Sequence, residues 1–120
     1  MKKQIYPCLW FNGQAKEAAD FYCSIFDDAT ITSENPMVTI FNLRGTKFMA
    51  LNGGPAYKFT PATSFVIECE TQAEIDHYWE KLGAGGRYDK CGWLADKFGV
   101  SWQIVPTVLG KLMADPERAP

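Results

Sequence analysis

At 120 residues, 47% hydrophobic and 22% charged, the chain has the size and composition of a globular protein with its own core, not of a disordered or fibrous one. A net charge of −2 offers no basic field for nucleic acid or an anionic membrane surface. No apolar run approaches the roughly 20 residues that cross a bilayer, and the aromatic start MKKQIYPCLWF is no signal peptide, so the expectation is a cytoplasmic chain of one domain, 1–120, with no nucleic-acid or membrane partner.

In chain order, residues 5–11 read as a strand. Ala15, Ala18, Ala19, Tyr22, Ile25 and Phe26 follow at the spacing of an amphipathic helix. TITSE (30–34) and MVTIFNL (37–43) fit two strands, and the Gly-led GTKFMALNG (45–53) turns into another. NGGPAYKFTPAT (52–63), rich in Gly and Pro, is a break. SFVI (64–67) begins a second series. Its helix has Ile75, Tyr78, Trp79 and Leu82 as the apolar stripe, Thr71 and Glu74 as a capping box and Gly83 as its stop. His77, the one histidine, falls opposite that stripe, which predicts an exposed side chain. Residues 87–94 have room for two strands, and Asp96 and Lys97 shape the turn before Gly99. In the following strand Val100, Trp102 and Ile104 share one face and Ser101, Gln103 and Val105 the other. TVLGKLMADPERAP (107–120) reads as a short helix capped by Thr107 and ending before Pro116.

The two series repeat one pattern. ADFYCSIF (19–26) superposes on IDHYWEKL (75–82), Tyr22 on Tyr78 and Phe26 on Leu82, and the same offset puts CLWF (8–11) on SFVI. GTKFMALNG parallels GVSWQIVPT (99–107), with Phe48 on Trp102 and Met49 on Gln103. The repeat spans 1–56 and 61–120, each half β-α-β-β-β. One helix covers one face of each sheet, and pairing two such units encloses the remaining faces. The expected architecture is therefore α+β, two paired β-α-β-β-β modules with curved mixed sheets around a cleft. Its walls would carry Cys8, Trp10, Met49, Leu51, Ser64, Val66, Glu68, Ser101 and Gln103, with Trp93 nearby.

Within that cleft Trp10 and Trp93 are candidates for a stacking platform, or mere filling of its mouth. Glu68 is a candidate general base, or a solvated strand-end residue. Cys8, Cys23, Cys69 and Cys91 form no C-x-x-C pair, so they read as reduced thiols, most simply buried ones. No histidine lies within sequence reach to activate Cys8 or Cys91 as a nucleophile.

PCLWFNGQAKEAADFYCSIF, FMALNGGP and CGWLADKFGVSWQIVP together resemble the vicinal oxygen chelate superfamily (glyoxalase, bleomycin-resistance and dioxygenase proteins), and within it the PhnB-like group often labelled 3-demethylubiquinone-9 3-methyltransferase. The resemblance covers nearly the whole chain and implies the glyoxalase-like fold, a homodimer and a divalent metal held by His, Glu or Gln from four strand positions. Those positions fall on Cys8 (or Pro7, one register over), Met49, Ser64 and Gln103. Only Gln103 is of a type the family uses, so the expectation is no metal and no cofactor. The methyltransferase label finds no G-x-G-x-x-G turn, and Gly83, Gly85 and Gly86 follow a helix rather than precede one.

The expected function is a small-molecule-binding protein of the glyoxalase/bleomycin-resistance type with a degenerate, metal-free cleft lined by Cys8, Trp10, Met49, Ser64, Glu68, Trp93 and Gln103. Three alternatives stay open: a metal-dependent lyase, isomerase or dioxygenase, a metal-independent enzyme using Glu68 or a cysteine with Gln103, and a purely structural dimer module.

Overall fold

The computed structural model describes residues 3–107, and the tail helix expected over 107–120 lies outside these apart from Thr107. Two compact units divide between Lys58 and Phe59, inside the Gly/Pro-rich stretch. Module 1 runs β1 (Cys8–Phe11), α1 (Ala15–Ile25), β2 (Ala29–Glu34), β3 (Val38–Leu43) and β4 (Thr46–Asn52). Module 2 runs β5 (Ser64–Cys69), α2 (Gln72–Gly83), β6 (Arg87–Tyr88), β7 (Trp93–Ala95) and β8 (Ser101–Pro106). Both sheets have the same strand order, β1-β4-β3-β2 and β5-β8-β7-β6, with the first and last strand of each module parallel and the others antiparallel. The α+β architecture of two β-α-β-β-β modules is thus the one the repeat predicts.

In module 1 the small Ala15, Ala18 and Ala19 let α1 lie close to its sheet, and Tyr22 and Ile25 complete the buried stripe. Opposite them Leu9, Phe11, Phe41, Leu43, Phe48 and Ala50 are buried. Phe41, fully buried, stacks on Tyr22 at 6.0 Å and on Phe48 at 5.3 Å. Residues 5–7 precede the ladder rather than join it as strand, although the Pro7 carbonyl accepts from the Met49 N–H at 3.0 Å.

The start of α1 is served from a distance. Gln14 makes no side-chain cap, and the Ala15 N–H instead donates to Asn52 Oδ1 at the end of β4, 2.8 Å away. Asn52 Nδ2 in turn donates to the Pro36 carbonyl at 3.1 Å. Asn52→Ala should therefore lower stability by about 1–2 kcal/mol, the cost of losing an N-cap, read as a drop in the urea midpoint at unchanged slope.

In module 2 the capping residues are local. The Glu74 N–H donates to Thr71 Oγ1 at 3.2 Å, while Glu74 Oε1 accepts from the Glu70 N–H at 2.9 Å, one residue earlier than in the standard box. The helix runs through Gly83 instead of stopping there, and the chain leaves it at Ala84 and Gly85, whose φ is +77°. Gly83 is buried because the Tyr88 ring sits against it, where a β-carbon would be 2.2 Å from Cε1. Only Tyr78 and Leu82 of the expected stripe are buried. Ile75 and Trp79 stay half-buried, and Trp79 packs on Tyr88 of β6 at 4.6 Å. His77 is half-buried rather than exposed, edge-on to Tyr78 at 4.9 Å. Of the cysteines only Cys69 is buried. Cys8 is exposed on the helix-free face of its sheet, Cys91 in a turn, and Cys23 is intermediate.

Candidate functional site

The helix-free face of module 2 is built by the pairing of β5, β8 and β7. Ser64 pairs with Ser101, Val66 with Gln103 and Glu68 with Val105, while Trp93 of β7 pairs with Gln103 from the other side. Directly paired residues share a sheet face, so Val66, Gln103 and Trp93 form one row across the sheet. Gln103, Ser64 and Trp93 are half-buried and Val66 is 56% exposed. Gln103 Nε2 donates to Ser64 Oγ at 3.0 Å, joining two of the sequence-predicted residues diagonally. Glu68 is on the same face, exposed.

Trp93 owes its register to the turn before it. Cys91 (φ +58°) and Gly92 (φ +80°) both adopt the left-handed region, and the Gly92 carbonyl accepts from the Ile104 N–H at 2.8 Å. A β-carbon on Gly92 would meet the Ile104 carbonyl oxygen at 2.5 Å, so this backbone approach is open to glycine alone. Gly92→Ala should cost about 1–3 kcal/mol, as for a residue forced into a disfavoured conformation, and should shift the Trp93 indole resonance in an 15N-correlated spectrum.

The far side of β8 is held by a residue whose role exceeds the turn expected of it. Asp96, 3% exposed, accepts through Oδ1 from the N–H groups of Phe98 (2.9 Å) and Val100 (3.0 Å), and through Oδ2 from Trp102 Nε1 (2.9 Å). The turn and the core indole are tied to one carboxylate, which fixes β8 and with it the face that Gln103 presents. The signal available in sequence was an acidic residue four positions before Val100 and six before a core Trp. That spacing has many meanings outside a known hairpin.

In module 1 the corresponding face carries Cys8 paired with Met49 and Trp10 paired with Leu51. Partial burial pushes the Cys8 thiol above its ordinary pKa, so it is a poor thiolate at neutral pH. Trp10 is engaged by the segment after β4. Its Nε1 donates to the Gly54 carbonyl at 2.9 Å, Tyr57 packs edge-on at 5.0 Å, and Gly53 lies directly on the ring, where a β-carbon would be 2.3 Å from Cε2.

The ladders also correct the alignment of the repeat. Met49 pairs with Cys8, but its counterpart Gln103 pairs with Val66, so the position equivalent to Cys8 is Val66 and not Ser64. A shift of two residues preserves the face, which is why Ser64 still reaches Gln103.

A family model described as 3-demethylubiquinone-9 3-methyltransferase matches residues 3–105. The chain belongs to that family. It is similar to a solved PhnB protein from Bacillus cereus, with 35% identity and a TM-score of 0.77 over 87% of this chain and 99% of that one. A glyoxalase-related enzyme from Fulvimarina pelagi (14% identity, TM-score 0.60, 88% of each chain) and a glyoxalase/bleomycin resistance protein from Albidiferax ferrireducens (12%, 0.61, 86% of this chain and 97% of that one) share the fold. A search of curated proteins finds no match.

The donors can be judged against the divalent metal that the vicinal oxygen chelate resemblance implies. They do not fit. Cys8 offers a thiol whose burial favours the protonated form, Met49 a thioether, Ser64 a hydroxyl already engaged, and Gln103 a carboxamide. Only the carboxamide is of a type that holds the family's metal, and a protonated thiol, a thioether and a hydroxyl do not supply the imidazole and carboxylate partners it would need. Among the described residues no three His, Cys, Asp or Glu side chains come together. Nor do the glycines near α2 form a phosphate or cofactor loop. Gly83 carries the Tyr88 ring, and a β-carbon on Gly86 would be 2.1 Å from the Ala95 carbonyl oxygen, so both are packing glycines.

Proposed function

We propose that this member of the 3-demethylubiquinone-9 3-methyltransferase family is a small-molecule-binding protein of the glyoxalase/bleomycin-resistance type, whose binding surface works through hydrogen bonding and aromatic contact rather than through a metal. The observation that supports this reading is the Gln103–Ser64 hydrogen bond beside Trp93 on the helix-free face of module 2. A family metal position holds an amide engaged with a hydroxyl, next to a half-buried indole. A single carboxamide with no imidazole or carboxylate beside it is a poor cation site, and it can orient a ligand by hydrogen bonding. Glu68, exposed on the same face, contributes charge to its rim. Cys8 and Met49 contribute a soft, weakly polar surface to the equivalent face of module 1.

The homodimer implied by the family resemblance is part of the proposal. No helix among the described residues is long and apolar enough to cross a membrane. Native mass spectrometry of untagged protein, purified without chelator, tests both parts. The expected spectrum is a metal-free dimer, with or without a bound organic molecule. A stoichiometric metal ion would overturn the reading of the donors, and a monomer would remove the dimer.

A further inference from the structure

We infer that the Gln103 face of module 2 selects a neutral, planar ligand with an amide-type edge, one hydrogen-bond donor beside one acceptor, as in a carboxamide, lactam or ureide. The inference rests on the small-molecule-binding reading above and narrows it to a ligand class.

A carboxamide has two N–H donors and one acceptor oxygen. Gln103 Nε2 spends one donor on Ser64 Oγ at 3.0 Å, which anchors the group and leaves Oε1 as an acceptor and the second N–H as a donor for a ligand. The side chain is half-buried, so a ligand covering it must match both groups or leave them unsatisfied away from water. The match for one acceptor and one donor on the same group is a ligand that brings one donor and one acceptor. A carboxylate would set its lone pairs against Oε1, and an ammonium would set its hydrogens against the free N–H. Neither satisfies both.

The neighbours agree with a flat, uncharged body. Trp93 and Val66 flank Gln103 on the ladder, an indole on one side and a branched aliphatic on the other. Charge on this face lies away from that row. Glu68 sits on β5 two residues beyond Val66 and disfavours an anion, and Arg87, in register with Ala95, is engaged by Asp89 at 3.3 Å.

The test compares benzamide, benzoate and benzylammonium, three probes with one phenyl ring and different head groups, by titration against 15N-labelled full-length protein. Benzamide is expected to shift the Trp93 indole N–H and the Gln103 side-chain amide, and to bind at least about tenfold more tightly than either charged probe. Gln103→Met, which keeps length and loses both hydrogen-bonding groups, should bring benzamide to within about threefold of benzoate while the melting temperature shows the variant folded. Ser64→Ala, which frees the carboxamide to turn over, should reduce the preference partially. Benzoate or benzylammonium binding at these residues as tightly as benzamide would overturn the amide selectivity and leave the binding reading standing. Shifts confined to other residues, or no shift with any probe up to its solubility limit, would overturn both.

Discussion

Asp96→Ala should lower the stability of the protein by about 3–5 kcal/mol, enough to bring the melting temperature down by on the order of 15 °C. The carboxylate accepts three hydrogen bonds at 2.9–3.0 Å, and two of its donors, the Val100 N–H and the Trp102 indole, belong to residues only 2% exposed. Truncation leaves those donors buried without an acceptor, and each orphaned group costs about 1–3 kcal/mol. Asp96→Asn separates this from a simple loss of charge. Its Oδ1 can still serve the turn, but its amide hydrogens would oppose the Trp102 N–H, so about half the loss is expected. Trp102→Phe removes that donor, and the cycle Asp96→Ala with Trp102→Phe should show the double variant less destabilised than the sum of the two single ones. Strict additivity in differential scanning calorimetry would mean the indole hydrogen bond carries no weight.

Phe41→Ala should cost about 3–5 kcal/mol in module 1, since it empties a fully buried site between Tyr22 and Phe48. The cavity cannot be filled cheaply. The helix above it is already close to the sheet through Ala15, Ala18 and Ala19, all buried, and those methyl groups have no reach to spare. Phe41→Leu retains most of the volume and should lose under about 1.5 kcal/mol. Urea unfolding followed by near-ultraviolet circular dichroism checks both, because the aromatic stack also contributes the signal. Equal effects of Leu and Ala would show that ring stacking, rather than filled volume, is what Phe41 supplies.

Much of the fold was legible because its signals are periodic and occur twice. Alternation along residues 100–105 and the helical spacing of Ala15, Tyr22 and Ile25 depend only on which side faces the core, and the repeat supplied the order of elements. Lengths and ends were less legible. Nothing local in Gly83 distinguishes a helix stop from a glycine made necessary by Tyr88, a ring five residues on. The placement of Ser64 and Gln103 on one face followed from parity, which survives a shift of two residues, whereas the pairing of Gln103 with Val66 rather than Ser64 did not, and the register of Trp93 was not legible at all. Asp96 and Asn52 were missed in their full roles for one reason. Each polar group serves a partner on another element, Trp102 six positions on and Ala15 thirty-seven positions back, and no local pattern announces such a bond.

The two helices therefore depend on their surroundings in different ways. The amide at the head of α2 is satisfied by Thr71, three residues away, as soon as its own first turn forms. The amide at the head of α1 waits for Asn52, so that turn is complete only when β4 has been laid against β1 and the whole module has been assembled. In hydrogen exchange the Ala15 amide should be released with the opening of its sheet, and the Glu74 amide by fraying of a single turn. Although the modules share a plan, the head of the first helix is secured by the last strand of its module and the head of the second by its own first turn.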